Sequence, residues 1–172
     1  PAKPALRVIR MEPVKDLRSL SLQFALPATT KFYASKPGQL LGAILGDEGA
    51  GSLLSVLKAA DLATGLSAGS YDNSPDYGMF NISIKLTPEG FAQYHRVLEL
   101  VFGAIHQIKA ADYPTYLFEE RQAMAALDET YANKGEGGRR AVSLANQLRD
   151  YPMEIAEREP YLWLNPDPTG YN

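Results

Sequence analysis

With 172 residues, 45% hydrophobic and 22% charged, the chain has the size and balance of one folded domain, which excludes disorder throughout. A net charge of −3 gives no field favouring nucleic acid or an anionic membrane surface, and no run of about 18 apolar residues exists to span a bilayer. The absence of cysteine removes disulfides, thiolate metal sites and a Cys nucleophile together.

The opening Pro1-Ala2-Lys3-Pro4 has neither the charged nor the apolar region of a signal peptide, and a first residue other than Met reads as a start inside a longer protein. Residues 1–10 and 164–172 are expected to be boundary segments of a single domain covering 1–172, the last of them a loop through Asn165-Pro166-Asp167-Pro168-Thr169-Gly170. Arg7 to Met11 is a candidate short strand. Leu17 to Leu26 alternates, with Leu20, Leu22, Phe24 and Leu26 on one face, and predicts a strand with one face buried. Pro37 suits the first turn of a helix with Ser35 as a nearby cap, and Leu40, Leu41, Ile44 and Leu45 follow at helical spacing. Three glycines within Gly46–Ser52 break that helix, and a second carries Leu53, Leu54, Leu57 and Leu62.

Ala63 to Ser70 and Met79 to Leu86 predict two strands, joined as a hairpin through the turn-rich 71–78. Thr87-Pro88-Glu89 is a helix start, with Thr as cap and Pro at the first position. The helix predicted from it runs to about Ala110, with Phe91, Tyr94, Leu98, Val101, Phe102, Ile105 and Ile108 as its apolar stripe. Further helices are expected over Thr115–Asn133, after the loop at Lys134–Gly138 from Arg139 to Arg149, and from Pro152. Strands and helices first, then helices alone, give an α+β architecture: an antiparallel-rich sheet with helices packed on one face.

Three patterns are candidates for chemistry. His95 and His106 lie on one helix about 16 Å apart along its axis, too far to share an ion. His95 and Glu99 make at most a two-ligand clip, whereas catalytic zinc needs three protein ligands, and neither H-E-x-x-H nor H-x-x-E-H occurs. With Arg96 and Gln107 these residues read as a solvated face. Gly65-Leu66-Ser67-Ala68-Gly69 matches the G-x-S-x-G of a nucleophile elbow. That motif needs strand, sharp turn and helix, and here it falls inside a predicted strand. Gly46 to Ser52 lacks the Gly-Lys-Ser/Thr of a phosphate loop, and Asp47 and Glu48 would attract a cation instead. It reads equally as a bend between helices with acidic residues at the N-terminus of the second.

Leu45-Gly46-Asp47-Glu48-Gly49-Ala50-Gly51-Ser52-Leu53-Leu54 through Leu57-Lys58, then Leu62-Ala63-Thr64-Gly65-Leu66-Ser67-Ala68-Gly69, forms an ordered set with Lys15-Asp16-Leu17-Arg18, Lys36-Pro37-Gly38 and Leu86-Thr87-x-Glu89-Gly90. The set resembles the insulinase/pitrilysin family of zinc metallopeptidases from about Met11 to Trp163, and within it the second, non-catalytic domain of the N-terminal half. The resemblance implies a metallopeptidase-like α/β roll ending short of its final strand, and homologous partner domains that together enclose a chamber. It places zinc in the parent's first domain and no cofactor in this one. It implies that Gly46, Glu48, Leu66, Ser67 and Ala68 anchor the N-terminus of a peptide substrate, with Asp47 where many relatives have His and Ala68 where some have Gly. It also implies a periplasmic parent, as in bacterial members, with the cytoplasm as the alternative. Two contrasting readings are a structural core-subunit relative without peptidase activity and a serine hydrolase using Ser67.

Overall fold

The computed structural model describes residues 7–72, 74, 76–132 and 136–167. The expected start at Pro1, parts of the hairpin turn and of the Lys134 loop, and the last five residues of the closing loop lie outside them. Three strands, β1 (Ser19–Pro27), β2 (Ala63–Asp72) and β3 (Tyr77–Leu86), form an antiparallel sheet in the order β1-β3-β2. The helices are α1 (Pro37–Leu45), α2 (Leu53–Ala59), α3 (Pro88–Ala92), α4 (Tyr94–Ala110), α5 (Thr115–Thr130), α6 (Gly137–Asp150) and α7 (Met153–Ala156), with 3-10 turns at Thr29–Phe32 and Glu159–Tyr161.

Alternation in the sequence becomes burial in the sheet. On the central strand β3, Phe80, Ile82, Ile84 and Leu86 are buried, and the matching residues of β1 are half-buried because that strand lies at an edge. β2 breaks the rule at its start. Its register against β3 shifts between Ala63 and Gly65, so Thr64 is an extra residue, a bulge. That is how Ala63 and Leu66, three apart, both reach the core. Leu45, Leu53, Leu54, Leu57 and Leu62, with Val97 and Val101 of α4, cover this face in one apolar cluster. A second, smaller cluster joins Phe118 and Ala125 of α5 to Trp163. So α5 is anchored in this second cluster, beside the sheet and the helices that cover its core face.

Several boundaries differ from expectation. No strand forms at Arg7–Met11: residues 7–17 are exposed, and β1 pairs only with β3, leaving that segment no partner. β1 starts at Ser19, not Leu17. Ser35 does not cap α1; the cap position is Lys36, left-handed at φ 43°, with no side-chain capping bond. Its ammonium turns inward to the Glu159 carboxylate and carbonyl at 2.7 and 2.9 Å. Leu62 follows α2 instead of lying in it, after the left-handed Asp61. The helix expected over Thr87–Ala110 is interrupted at Gln93, which leaves Phe91 and Phe102 exposed while Val97 and Val101 carry the buried stripe. Pro152 caps α7 from outside, and α5 ends at Thr130, before Asn133.

Candidate functional site

α1 presents Gly38, Gly42 and Gly46 to β2 at four-residue spacing, one face of a helix. A Cβ on Gly42 would lie 3.1 Å from the Ala68 carbonyl oxygen and from Gly69 Cα, and one on Gly38 would lie 2.3 Å from Ser70 Oγ. The missing side chains are therefore what lets α1 run against β2. The helix ends at Leu45, and the Gly46 N–H still donates to the Gly42 carbonyl at 2.9 Å. The chain then turns through Asp47–Gly51. Gly51 sits at φ 85°, a conformation that side chains disfavour. Ser52 starts α2, its Oγ accepting from the Ser55 N–H at 3.1 Å.

Asp47 and Glu48 are exposed and lie before this cap, so they do not occupy the first turn of α2 as the helix-bend reading supposed. They line a shallow concavity of about 430 Å³ instead, with Gly42, Ala43, Gly46, Leu66, Ser67, Ala68 and Arg121. All five residues expected at the anchoring site, Gly46, Glu48, Leu66, Ser67 and Ala68, thus come together in one place. The main-chain N and O of Ala68 lie 3.6 and 3.9 Å from where a Cβ on Gly46 would stand. The main chain of Ala68 thus lies close against the end of α1. β2 is an edge strand there, with β3 on its other side. An extended peptide adds to such an edge by main-chain hydrogen bonds, and the acidic wall suits a cationic end.

Arg121 escaped the sequence reading. It lies outside every motif and reaches the concavity only because Phe118 and Gln122 hold α5 against Trp163.

The other candidates separate. Ser67 lies mid-strand, paired with Ser83, on the sheet face opposite the buried Leu66. His95 and His106 are exposed on α4, which packs on the core face, so the sheet stands between them and Ser67. No helix follows Ser67 to supply oxyanion donors, and the serine hydrolase reading fails on geometry. Among the described residues no three His, Asp or Glu side chains group as metal ligands, so these residues do not fit a zinc ion. No described helix is long and apolar enough to cross a membrane.

A small three-stranded antiparallel sheet with helices on its core face and a concavity beside an edge strand define an α+β domain. The chain belongs to the Peptidase M16 inactive domain family, which it matches over residues 1–124. It is 34% identical to the A-factor-processing enzyme of Saccharomyces cerevisiae, over 84% of this chain and 14% of that protein. It is 30% identical to human (Homo sapiens) insulin-degrading enzyme, over 91% of this chain and 15% of that protein. The fold matches crystalline pitrilysin with a TM-score of 0.85 at 21% identity, over 92% of this chain and 17% of that one. An inactive peptidase domain from Bordetella parapertussis aligns with a TM-score of 0.63 at 16% identity, covering 88% and 79%. The chain thus spans about one-seventh of the length of these curated relatives.

Proposed function

We propose that this chain is the substrate-cradling, non-catalytic domain of a zinc-dependent metalloendopeptidase that degrades peptides in an enclosed chamber. In this reading 1–172 is one domain of a longer polypeptide, homologous partner domains complete the chamber, and a zinc ion held by another domain performs the hydrolysis. Residues here bind and orient; none touches the reacting bond. The observation that carries the proposal is the convergence of Gly46, Glu48 and the edge-strand residues Leu66–Ala68 in one concavity. Main-chain pairing along the edge would hold the first residues of a peptide extended, and Glu48 would take its α-ammonium. Membership in the inactive-domain family supports the division of labour. The compartment proposed is the periplasm, by likeness to bacterial members of the family.

Strand addition has a direct test in Ala68→Pro, which deletes a main-chain N–H of the edge strand. Proline is tolerated on edge strands where its nitrogen faces away from the ladder. The full-length enzyme carrying it should keep its unfolding midpoint and its kcat on short N-blocked peptides, while KM for longer peptides with free N-termini should rise by about tenfold, the upper worth of one hydrogen bond. An unchanged KM for those peptides would refute pairing at this edge.

A further inference from the structure

Arg121 is exposed and lines the same concavity as the acidic loop, from a different element, α5. Other arginines of the C-terminal helices hold carboxylates: Arg139 pairs with Glu136, Arg140 with Glu157, Arg149 with Asp150 and Arg158 with Glu129. Arg121 makes no such pair, although Asp47 and Glu48 line the same hollow. The concavity therefore carries carboxylates and a guanidinium with no ion pair between them among the described residues. A complementary occupant carries a positive group toward Asp47 and Glu48 and a negative group toward Arg121.

We propose that Arg121 is a specificity-determining residue that favours peptides bearing a carboxylate side chain within their first three residues. The inference rests on the reading of the concavity as an N-terminal anchor. The lining stretch Leu66–Ala68 spans about 7 Å at ~3.3 Å per residue, so an ammonium at Glu48 and a carboxylate at Arg121 belong to the same short segment. Successive side chains of an extended peptide point to opposite faces, so one position faces Arg121 and its immediate neighbours do not. The guanidinium offers a fork of donors matched to a carboxylate, and the site is open to solvent, which limits the gain to about three- to fivefold in affinity. The position of Arg121 is set by packing elsewhere, through the edge-to-face contact of Phe118 with Trp163 at 5.3 Å. Substitution of its exposed side chain thus leaves the fold in place.

The test is fluorescence polarisation with the full-length polypeptide, held under conditions that block turnover. The probes are peptides labelled at the C-terminus, with Glu, Gln or Lys at each of positions 1 to 3. Glu should bind about three- to fivefold tighter than Gln at one position, and not at its immediate neighbours. Arg121→Gln should erase the difference, and Arg121→Glu should reverse it in favour of Lys. An equal Glu-to-Gln ratio in wild type and Arg121→Gln, or no preference at any position, would overturn the proposal. N-acetylated copies separate the two ideas. Weakening by acetylation without Glu preference keeps the anchor and rejects the role of Arg121. An Arg121-dependent preference that ignores acetylation keeps the contact and rejects the anchor.

Discussion

Gly90 shows how one residue fixes a junction. Thr87 caps α3 by accepting from the Gly90 N–H at 2.8 Å, while its own hydroxyl donates to the Asp61 carbonyl at 2.6 Å and its N–H to the Leu62 carbonyl at 3.2 Å. The helix start is thereby pressed onto the end of the α2–β2 link. A Cβ on Gly90 would sit 1.8 Å from the Leu62 carbonyl oxygen, so the backbone must part. Gly90→Ala should cost about 1–3 kcal/mol, the usual range of overpacking, read as a lower denaturant midpoint. A variant as stable as wild type would show that this approach is not rigid. The Thr-Pro-Glu-Gly signature announced a helix start in the sequence, and the Thr cap was legible from residue type alone. The clash behind the glycine was not, because Leu62 meets it only through the tertiary fold. Arg121 was hidden for the same reason: one more charge on an exposed helix face becomes part of a site only when Phe118 and Trp163 dock.

At the scale of elements, periodicity found β1 and β3 because each exposes one clean face. It missed the bulge at Thr64, where two-residue counting fails, and joined α3 to α4 because Gln93 is an ordinary helix former whose backbone departs only in context. It also invented a strand at Arg7–Met11, since hydrophobic pattern does not reveal whether an edge is there to pair with. The end of α6 is a junction of distant elements. Tyr151 meets Tyr33 edge-on at 5.9 Å, near Asp72 at the end of β2 and Glu159 of the second 3-10 turn. Burial first, then the charges of Glu159, Asp72 and Asp150, push its phenol up to about 12 from 10. Between those values the unfolded chain loses this proton while the folded chain keeps it. Deprotonation then favours unfolding, and stability falls as pH rises through the window. Tyr151→Phe should flatten that part of the stability profile relative to wild type, measured by thermal unfolding from pH 9 to 12. Parallel profiles would mean that the phenol is not held in this junction.

The whole molecule is two apolar clusters tied by its C-terminal segment. The Leu164 and Asn165 N–H groups both donate to the Ala34 carbonyl, at 2.8 and 3.2 Å, beside the nearly buried Lys36–Glu159 pair. The concavity lies where the clusters meet, lined by the α1 loop, β2 and α5. Leaving either Lys36 or Glu159 unpaired would loosen this tie, because a buried charge without its partner is strongly destabilising. The glycine loop and the 66–68 strand carried a recognisable pattern, so the site's residues were legible before its shape was. Their convergence across the fold was not, since it depends on α1 seating its glycines on β2.

In the proposed function this surface holds the free N-terminus of a peptide while hydrolysis happens elsewhere. The most direct measurement is the KM of the full-length enzyme for matched free and N-acetylated peptides, in wild type and Glu48→Ala. Glu48→Ala should raise KM for free peptides by about three- to fivefold, the upper worth of a solvent-exposed ion pair, and leave kcat and the acetylated peptides nearly unchanged. Equal losses for both peptide sets would contradict it.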